Sequence, residues 1–288
     1  MKNYLSLVNT ILEQGERKEN RTGMDCKTVA GMMFEHDMST GFPLLTTKRV
    51  PFRLVASELE FFIKGITDKQ WLIDRDNHIR DERCSPDIIP YSHDPEIQAQ
   101  MKTQRELGPV YGYQWRNFGG EYTSYDQPIG TDGVDQLRKV VETLKTNPSD
   151  RRMIVMARNP QVLHRQALPP CHYGFQVTVI NGKLNLLRNQ RSVDVGLGLP
   201  FNIASYALLL HLLAKESGLQ EGKLVGFLAD THIYRNHVDA LTEQLSRTPD
   251  ILPTITTDDF TNIFDRQYTD TVVENYNPQK SIKMDVAV

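Results

Sequence analysis

Residues 171–192 read CHYGFQVTVINGKLNLLRNQRS. Residues 172–180 are rich in β-branched and aromatic side chains, Asn181-Gly182 follows, and KLNLLRNQRS opens a second strand-like run. Asn-Gly between two such runs is the strongest short-range hairpin signal, because the favoured two-residue turn needs positive φ at both positions. That turn sets Ile180 opposite Lys183 and Cys171 opposite Ser192, beside Arg191; a bulge would shift the far end by one residue. Pro169-Pro170 deliver Cys171 on a rigid, extended backbone. A free thiol with a pKa of about 8.5 is only a few per cent thiolate at neutral pH, and a neighbouring arginine favours the thiolate. The plain alternative is a buried cysteine at a strand start. A Cys171–His172 dyad does not fit, since adjacent strand residues point to opposite faces.

Around this hairpin the chain mixes helix and strand signals. The N-terminal MKNYLSLVNTILEQGERKEN reads as an amphipathic helix and not a signal peptide, because charges break the apolar run early. Residues 53–64, RLVASELEFFIK, predict a helix ending at Gly65, and 134–145 another closed by Asn147-Pro148. Residues 152–157 are β-prone. Residues 201–215, FNIASYALLLHLLAK, are apolar nearly all round and predict a buried central helix. The C-terminal third alternates short strand signals with turns, and 84–107 is polar with scattered prolines, a candidate surface insertion in a single domain spanning 1–288. The expected class is α+β with a largely antiparallel or mixed sheet surrounded by helices.

The 288 residues, 39% hydrophobic, suffice for a substantial core, and 33 Lys+Arg against 36 Asp+Glu argue against a general nucleic-acid coat protein. No apolar run approaches the roughly 18 residues needed to span a membrane. Cys26, Cys84 and Cys171 are odd in number and widely spaced, with no metal or disulfide spacing, which fits a reducing cytoplasm (a host's, if the source is viral).

Longer motifs carry a resemblance. ALPPCH, QRSVDVGLGLPFNIASYALL and DTHIYRNH, together with NRTG at 20–23, FPLLTTKR at 42–49, SELEFFIKG at 57–65, GPVYGYQWR at 108–116, NPSDRR at 147–152 and the tail YNPQKSIKMDVAV, resemble thymidylate synthase and its relatives, the deoxypyrimidine-monophosphate hydroxymethylases, almost end to end. The resemblance implies a fold whose mixed sheet forms a homodimer interface. Cys171 resembles the nucleophile that adds to C6 of the pyrimidine. Arg21, Arg191 and Ser192, with Gln190 beside them, resemble substrate ligands, joined at the phosphate by Arg151 and Arg152 of the partner subunit. Guanidinium forks suit bidentate phosphate binding, although each arginine alone is more often a solvated charge.

Glu58 resembles the carboxylate that organises water and moves protons at O4 and C5, and Tyr111 a helper in removing the C5 proton. His232 and Tyr234 resemble the pair on the sugar 3′-hydroxyl. Lys48, Ile79, Arg80, Asp194, Leu197, Gly198, Phe201 and Val288 resemble the 5,10-methylenetetrahydrofolate site, with Asp194 on the pterin and Lys48 towards the tail. Asn202 stands where the family reads the base. A carboxamide can donate to O4 and accept from N3–H of uracil, which selects dUMP over dCMP, though asparagine is also a favoured helix cap. No metal or nucleic acid is implied.

The sequence departs from a synthase in places. Synthases resemble IWDEWA where this chain reads Ile79-Arg80-Asp81-Glu82-Arg83-Cys84. Arg80 and Arg158 stand where synthases resemble tryptophan, Glu60 where they have leucine, Asn189 where they have tyrosine, and Ala229 where glycine is usual. Bulky apolar groups give way to polar ones that hold water, and a buried Arg80–Glu60 pair would position it. The favoured expectation is therefore a dUMP hydroxymethylase, in which water attacks the exocyclic methylene and releases tetrahydrofolate. The alternative is a thymidylate synthase, in which the folate delivers hydride. A silent nucleotide- or RNA-binding homologue is the third reading.

Overall fold

Asn181 and Gly182 take φ of +51° and +75°, the positive pair the hairpin turn requires. They join β4 (His172–Ile180) to β5 (Lys183–Asp194). Ile180 faces Lys183 as the turn dictates, and the register holds as far as Gly174–Asn189. A bulge between His172 and Gly174 then moves the pairing by one, so His172 faces Gln190. The amide of Arg191 donates to the Cys171 carbonyl at 2.9 Å. Cys171 is thus matched to Arg191, not to Ser192.

The computed structural model describes residues 1–20 and 23–286. Two of the expected ligands, Arg21 and Val288, lie outside the described residues. In chain order the elements are α1 (Lys2–Gln14), β1 (Glu16–Lys18), β2 (Cys26–Asp37), α2 (Phe52–Ile63), α3 (Lys69–Ile73), α4 (Pro95–Thr103), α5 (Tyr111–Asn117), α6 (Gln136–Thr146), β3 (Ile154–Met156), the β4–β5 hairpin, α7 (Gly198–Ser217), β6 (Gln220–Tyr234), α8 (Val238–Ser246), β7 (Thr254–Thr257) and β8 (Thr271–Glu274). The N-terminal helix is shorter than its sequence suggested: it stops before Gly15, and the exposed, charged Glu16–Lys18 pairs instead as an edge strand on β2. Segment 84–107 is not wholly superficial. It carries α4, and Cys84, Met101 and Leu107 are buried.

Six strands form one sheet in the order β1-β2-β6-β5-β4-β3. All neighbours are antiparallel except β5 and β6, which run parallel, so the sheet is mixed. The parallel pair needs a crossover, and α7 supplies it. Its apolar surface is buried from Leu199 to Ala214, as expected for a helix lying in the core. Along β5 burial alternates, with Leu184, Leu186, Arg188 and Gln190 on the covered face. On the other face a row runs Gly174–Asn189–Phe227–Met33 across four strands, and Phe227 and Met33 are 42% and 59% exposed.

Helix α2 packs on α7 and α5. A Cβ on Gly112 would lie 2.3 Å from the Phe62 carbonyl oxygen, so only glycine admits this approach. The contact brings the Tyr111 ring to 5.0 Å from Phe62 and 4.4 Å from His172, at the start of β4.

Candidate active site

Because β5 and β6 are parallel, their C-terminal ends lie at the same end of the sheet, where antiparallel β4 begins. Ligands in such sheets gather beyond the carboxyl ends of parallel strands. Here that end carries Cys171 just ahead of β4, Gln190, Arg191, Ser192 and Asp194 from β5, and His232 and Tyr234 from β6. Ser192 pairs with Asp230 and Asp194 with His232.

Cys171 is half-buried, and the Arg191 guanidinium reaches its Sγ at 3.7 Å. The proline pair explains the aim. Arg191 donates from Nε to the Pro170 carbonyl at 3.0 Å and from Nη2 to the Pro169 carbonyl at 2.6 Å. Rigid prolines present these carbonyls at a fixed distance from the thiol. The Cys171 amide donates to the Tyr111 hydroxyl at 2.9 Å, and burial beside Cys171 pushes the Tyr111 phenol well above its ordinary range. Tyr111 is therefore protonated and can hold or relay a proton next to the sulfur. The His172 ring points into the core, with Nδ1 2.9 Å from the Tyr206 hydroxyl. Burial, with Arg188 and Arg80 nearby, keeps that imidazole neutral.

Helix α2 presents Glu58 to the same pocket. Arg80 donates to Glu58 Oε1 from Nε at 3.0 Å and from Nη2 at 2.7 Å, and its guanidinium lies 5.2 Å from the Tyr111 ring centre. Arg80 therefore pairs with Glu58 and not, as the sequence suggested, with Glu60. Residues two apart on a helix point about 200° apart, so Glu58 and Glu60 cannot serve one partner. Glu60 faces away, accepting from Lys64 Nζ at 2.5 Å and from the Tyr268 amide at 2.6 Å.

A second cluster forms at the turn into α7. Asp194 Oδ1 accepts from the amides of Gly196 and Leu197 at 2.9 and 3.2 Å. Lys48, buried, donates from Nζ to the Gly196 carbonyl at 2.6 Å. Burial lowers its pKa to about 8 against an opposing pull from Asp194. Leu197, Gly198 and Phe201 are half-buried on the same turn. Ile79, next to Arg80, is 45% exposed. Asn202 is not a helix cap: α7 begins at Gly198, and Asn202 Oδ1 accepts from Gln190 Nε2 at 3.1 Å. His232 is buried, its Nδ1 is 3.2 Å from the Asp230 carbonyl, and its ring meets Tyr234 edge-on at 5.0 Å.

Other expected residues lie elsewhere. Arg151 and Arg152 are exposed ahead of β3 at the sheet's far edge, and Arg152 is engaged by Asp150 at 3.0 Å. Arg158 is exposed after β3, and among the described residues no hydrogen bond or ion pair joins it to the Cys171 pocket. Asn189 sits on the open sheet face. One residue escaped the sequence reading. Arg188 is fully buried and donates from Nη1 to Gln190 Oε1. A charge on the apolar phase of Leu184-Leu186-Arg188 was the available signal. Among the described residues no cluster could hold a metal ion, and no helix is long and apolar enough to cross a membrane.

The end of the sheet thus gathers a cysteine held against an arginine, a buried carboxylate and phenol beside it, and a polar strand end opposite, a pocket with the groups that thiolate chemistry requires. A sequence model described as thymidylate synthase matches residues 2–288. The chain belongs to the thymidylate synthase family. It is 46% identical over 286 residues to the thymidylate synthase of Herpesvirus ateles, covering 99% of this chain and 97% of that one. It is 45% identical to the bifunctional dihydrofolate reductase-thymidylate synthase of Leishmania major and 41% to that of Paramecium tetraurelia, spanning 55% and 61% of those longer proteins. These relatives carry the synthase name, not the hydroxymethylase name that Arg80 and its companion departures favoured.

Proposed function

We propose that the chain is a thymidylate synthase, converting dUMP and 5,10-methylenetetrahydrofolate to dTMP and dihydrofolate. The observation that carries this is the Cys171 sulfur held 3.7 Å from Arg191 with Tyr111 and Glu58–Arg80 around it. The Cys171 thiolate adds to C6, and the electron pair moves to C5. C5 attacks the folate methylene, and the C5 proton leaves through Tyr111 or water ordered by Glu58. Expulsion of tetrahydrofolate leaves an exocyclic methylene, hydride from that folate completes the methyl group, and the sulfur departs.

Arg191 and Ser192, with Arg21 and with Arg151 and Arg152 of the partner subunit, take the phosphate. Gln190 and Asn202 take the base, and His232 and Tyr234 the sugar. Asp194, Lys48, Ile79, Leu197, Gly198, Phe201 and Val288 take the folate. The exposed Met33 and Phe227 on the open sheet face support back-to-back pairing of two copies. That pairing would account for arginines that reach no pocket in their own chain. The one-domain reading of 1–288 and a cytoplasmic site of action accompany this proposal.

The second reading, dUMP hydroxymethylation, keeps one specific observation: a guanidinium in the pocket wall, bound to Glu58, where water could be ordered. Turnover with dUMP and cofactor separates the two. A C5 methyl with dihydrofolate supports the synthase, and a C5 hydroxymethyl with tetrahydrofolate supports the other. A protein that binds dUMP but makes neither is the silent homologue.

A further inference from the structure

Arg188 is fully buried, and among the described residues its only hydrogen-bond acceptor is Gln190 Oε1. Among the described residues its Nε and Nη2 are buried with no partner, and its guanidinium packs over the rings of Phe34 and Tyr206 at 5.2 and 5.6 Å. A buried cation held by a single neutral acceptor is a costly way to fill a core. The position has a consequence at the base site. Gln190 Nε2 donates to the Ser192 carbonyl at 3.0 Å and to Asn202 Oδ1 at 3.1 Å.

We infer that Arg188 is a specificity-positioning residue, which through Gln190 fixes the direction of the Asn202 carboxamide and so commits the site to uracil. The polarity of the chain follows from chemistry alone. Arginine has donors only, so the Gln190 atom it meets is the oxygen. The Gln190 amino group then faces Ser192 and Asn202, and the Asn202 atom it meets is also an oxygen. Asn202 is left with its amino group to donate and one Oδ1 lone pair to accept. Uracil offers a C4 carbonyl and an N3–H, which match. Cytosine offers an amino group and a bare N3, and would require Asn202 to turn over. Turned over, its amino group would face that of Gln190. The Ser192 carbonyl biases Gln190 the same way, and Arg188 locks the other end of the amide.

This rests on the dUMP reading above, and the test separates the two. Equilibrium binding of dUMP and dCMP is measured for wild type, Arg188→Leu and Arg188→Lys. A wild type that does not prefer dUMP defeats the dUMP reading itself. Given that preference, Arg188→Leu is expected to lower the dUMP/dCMP affinity ratio by about tenfold, the worth of one net hydrogen bond to a charged group. Arg188→Lys, which still only donates, is expected to keep the ratio. Loss of a purely structural group would weaken both nucleotides alike. An unchanged ratio in Arg188→Leu, or a lysine variant as relaxed as the leucine one, overturns the inference. The leucine variant is expected to fold, because a buried, poorly paired cation is replaced by an apolar side chain.

Discussion

Lys48→Met is expected to change sign in its effect on stability as pH rises. Lys48 is 6% exposed, and burial brings its pKa from 10.5 down to about 8. Below the folded value both states hold the proton, and the fold bears the full cost of a buried ammonium. At roughly 1.4 kcal/mol per pH unit that cost is about 3 kcal/mol. Between about pH 8 and 10.5 the folded state gives up its proton while the unfolded state keeps it. Stability therefore rises with pH across this window, because the unfolded state binds more protons. Above it both states are neutral and the cost is gone. Methionine removes the cost but also the 2.6 Å hydrogen bond to the Gly196 carbonyl, worth about 1 kcal/mol net. The variant should be about 2 kcal/mol more stable than wild type near neutral pH, and roughly 1 kcal/mol less stable at the alkaline end. Denaturant unfolding of both proteins across that range, at one protein concentration, gives the difference directly. A difference that stays constant with pH would show that the Lys48 ammonium is not destabilised by burial.

Two further perturbations probe the pocket wall. Arg80→Leu leaves the Glu58 carboxylate, whose side chain is 7% exposed, without its partner, and should cost about 3–5 kcal/mol in denaturant unfolding; Arg80→Leu with Glu58→Gln should recover part of that loss. Gly112→Ala drives a methyl to within 2.3 Å of the Phe62 carbonyl and should cost about 1–3 kcal/mol, with a fall in kcat as Tyr111 is pushed off the Cys171 amide. Unchanged kcat in a folded Gly112→Ala enzyme would show that Tyr111 does not depend on this contact.

Much of the site was readable because it is local. The Asn181-Gly182 turn alone put Cys171 beside Arg191, and only the one-residue bulge at His172/Gly174 lay beyond it. The bulge is a tertiary feature that no local residue pattern marks, and Gly174 beside it also has no room for a side chain against Met156 of β3. The Glu58–Arg80 pair is hidden in the sequence for a different reason: Glu60 is the visible chemical departure, but helical geometry turns it towards Lys64 and Tyr268 and leaves Glu58 to meet Arg80. Pairing of β2 with β6 joins nearly opposite ends of the chain, and no short-range signal specifies it. The parallel β5–β6 pair was implicit in strand, buried helix, strand, a pattern that calls for a crossover. Arg151 and Arg152 were expected to act in a partner subunit, which a single chain cannot supply, and Asn189, expected to help set the product, sits on the open sheet face beside Phe227.

In the proposed reaction every covalent step passes through the Cys171 sulfur. Loss of the C5 hydrogen from dUMP in the presence of methylenetetrahydrofolate reports the covalent steps before any product forms. Wild type should release it, and Cys171→Ala, folded and still binding dUMP, should release none above the uncatalysed background. Undiminished release from the alanine variant would mean that Cys171 is not the nucleophile.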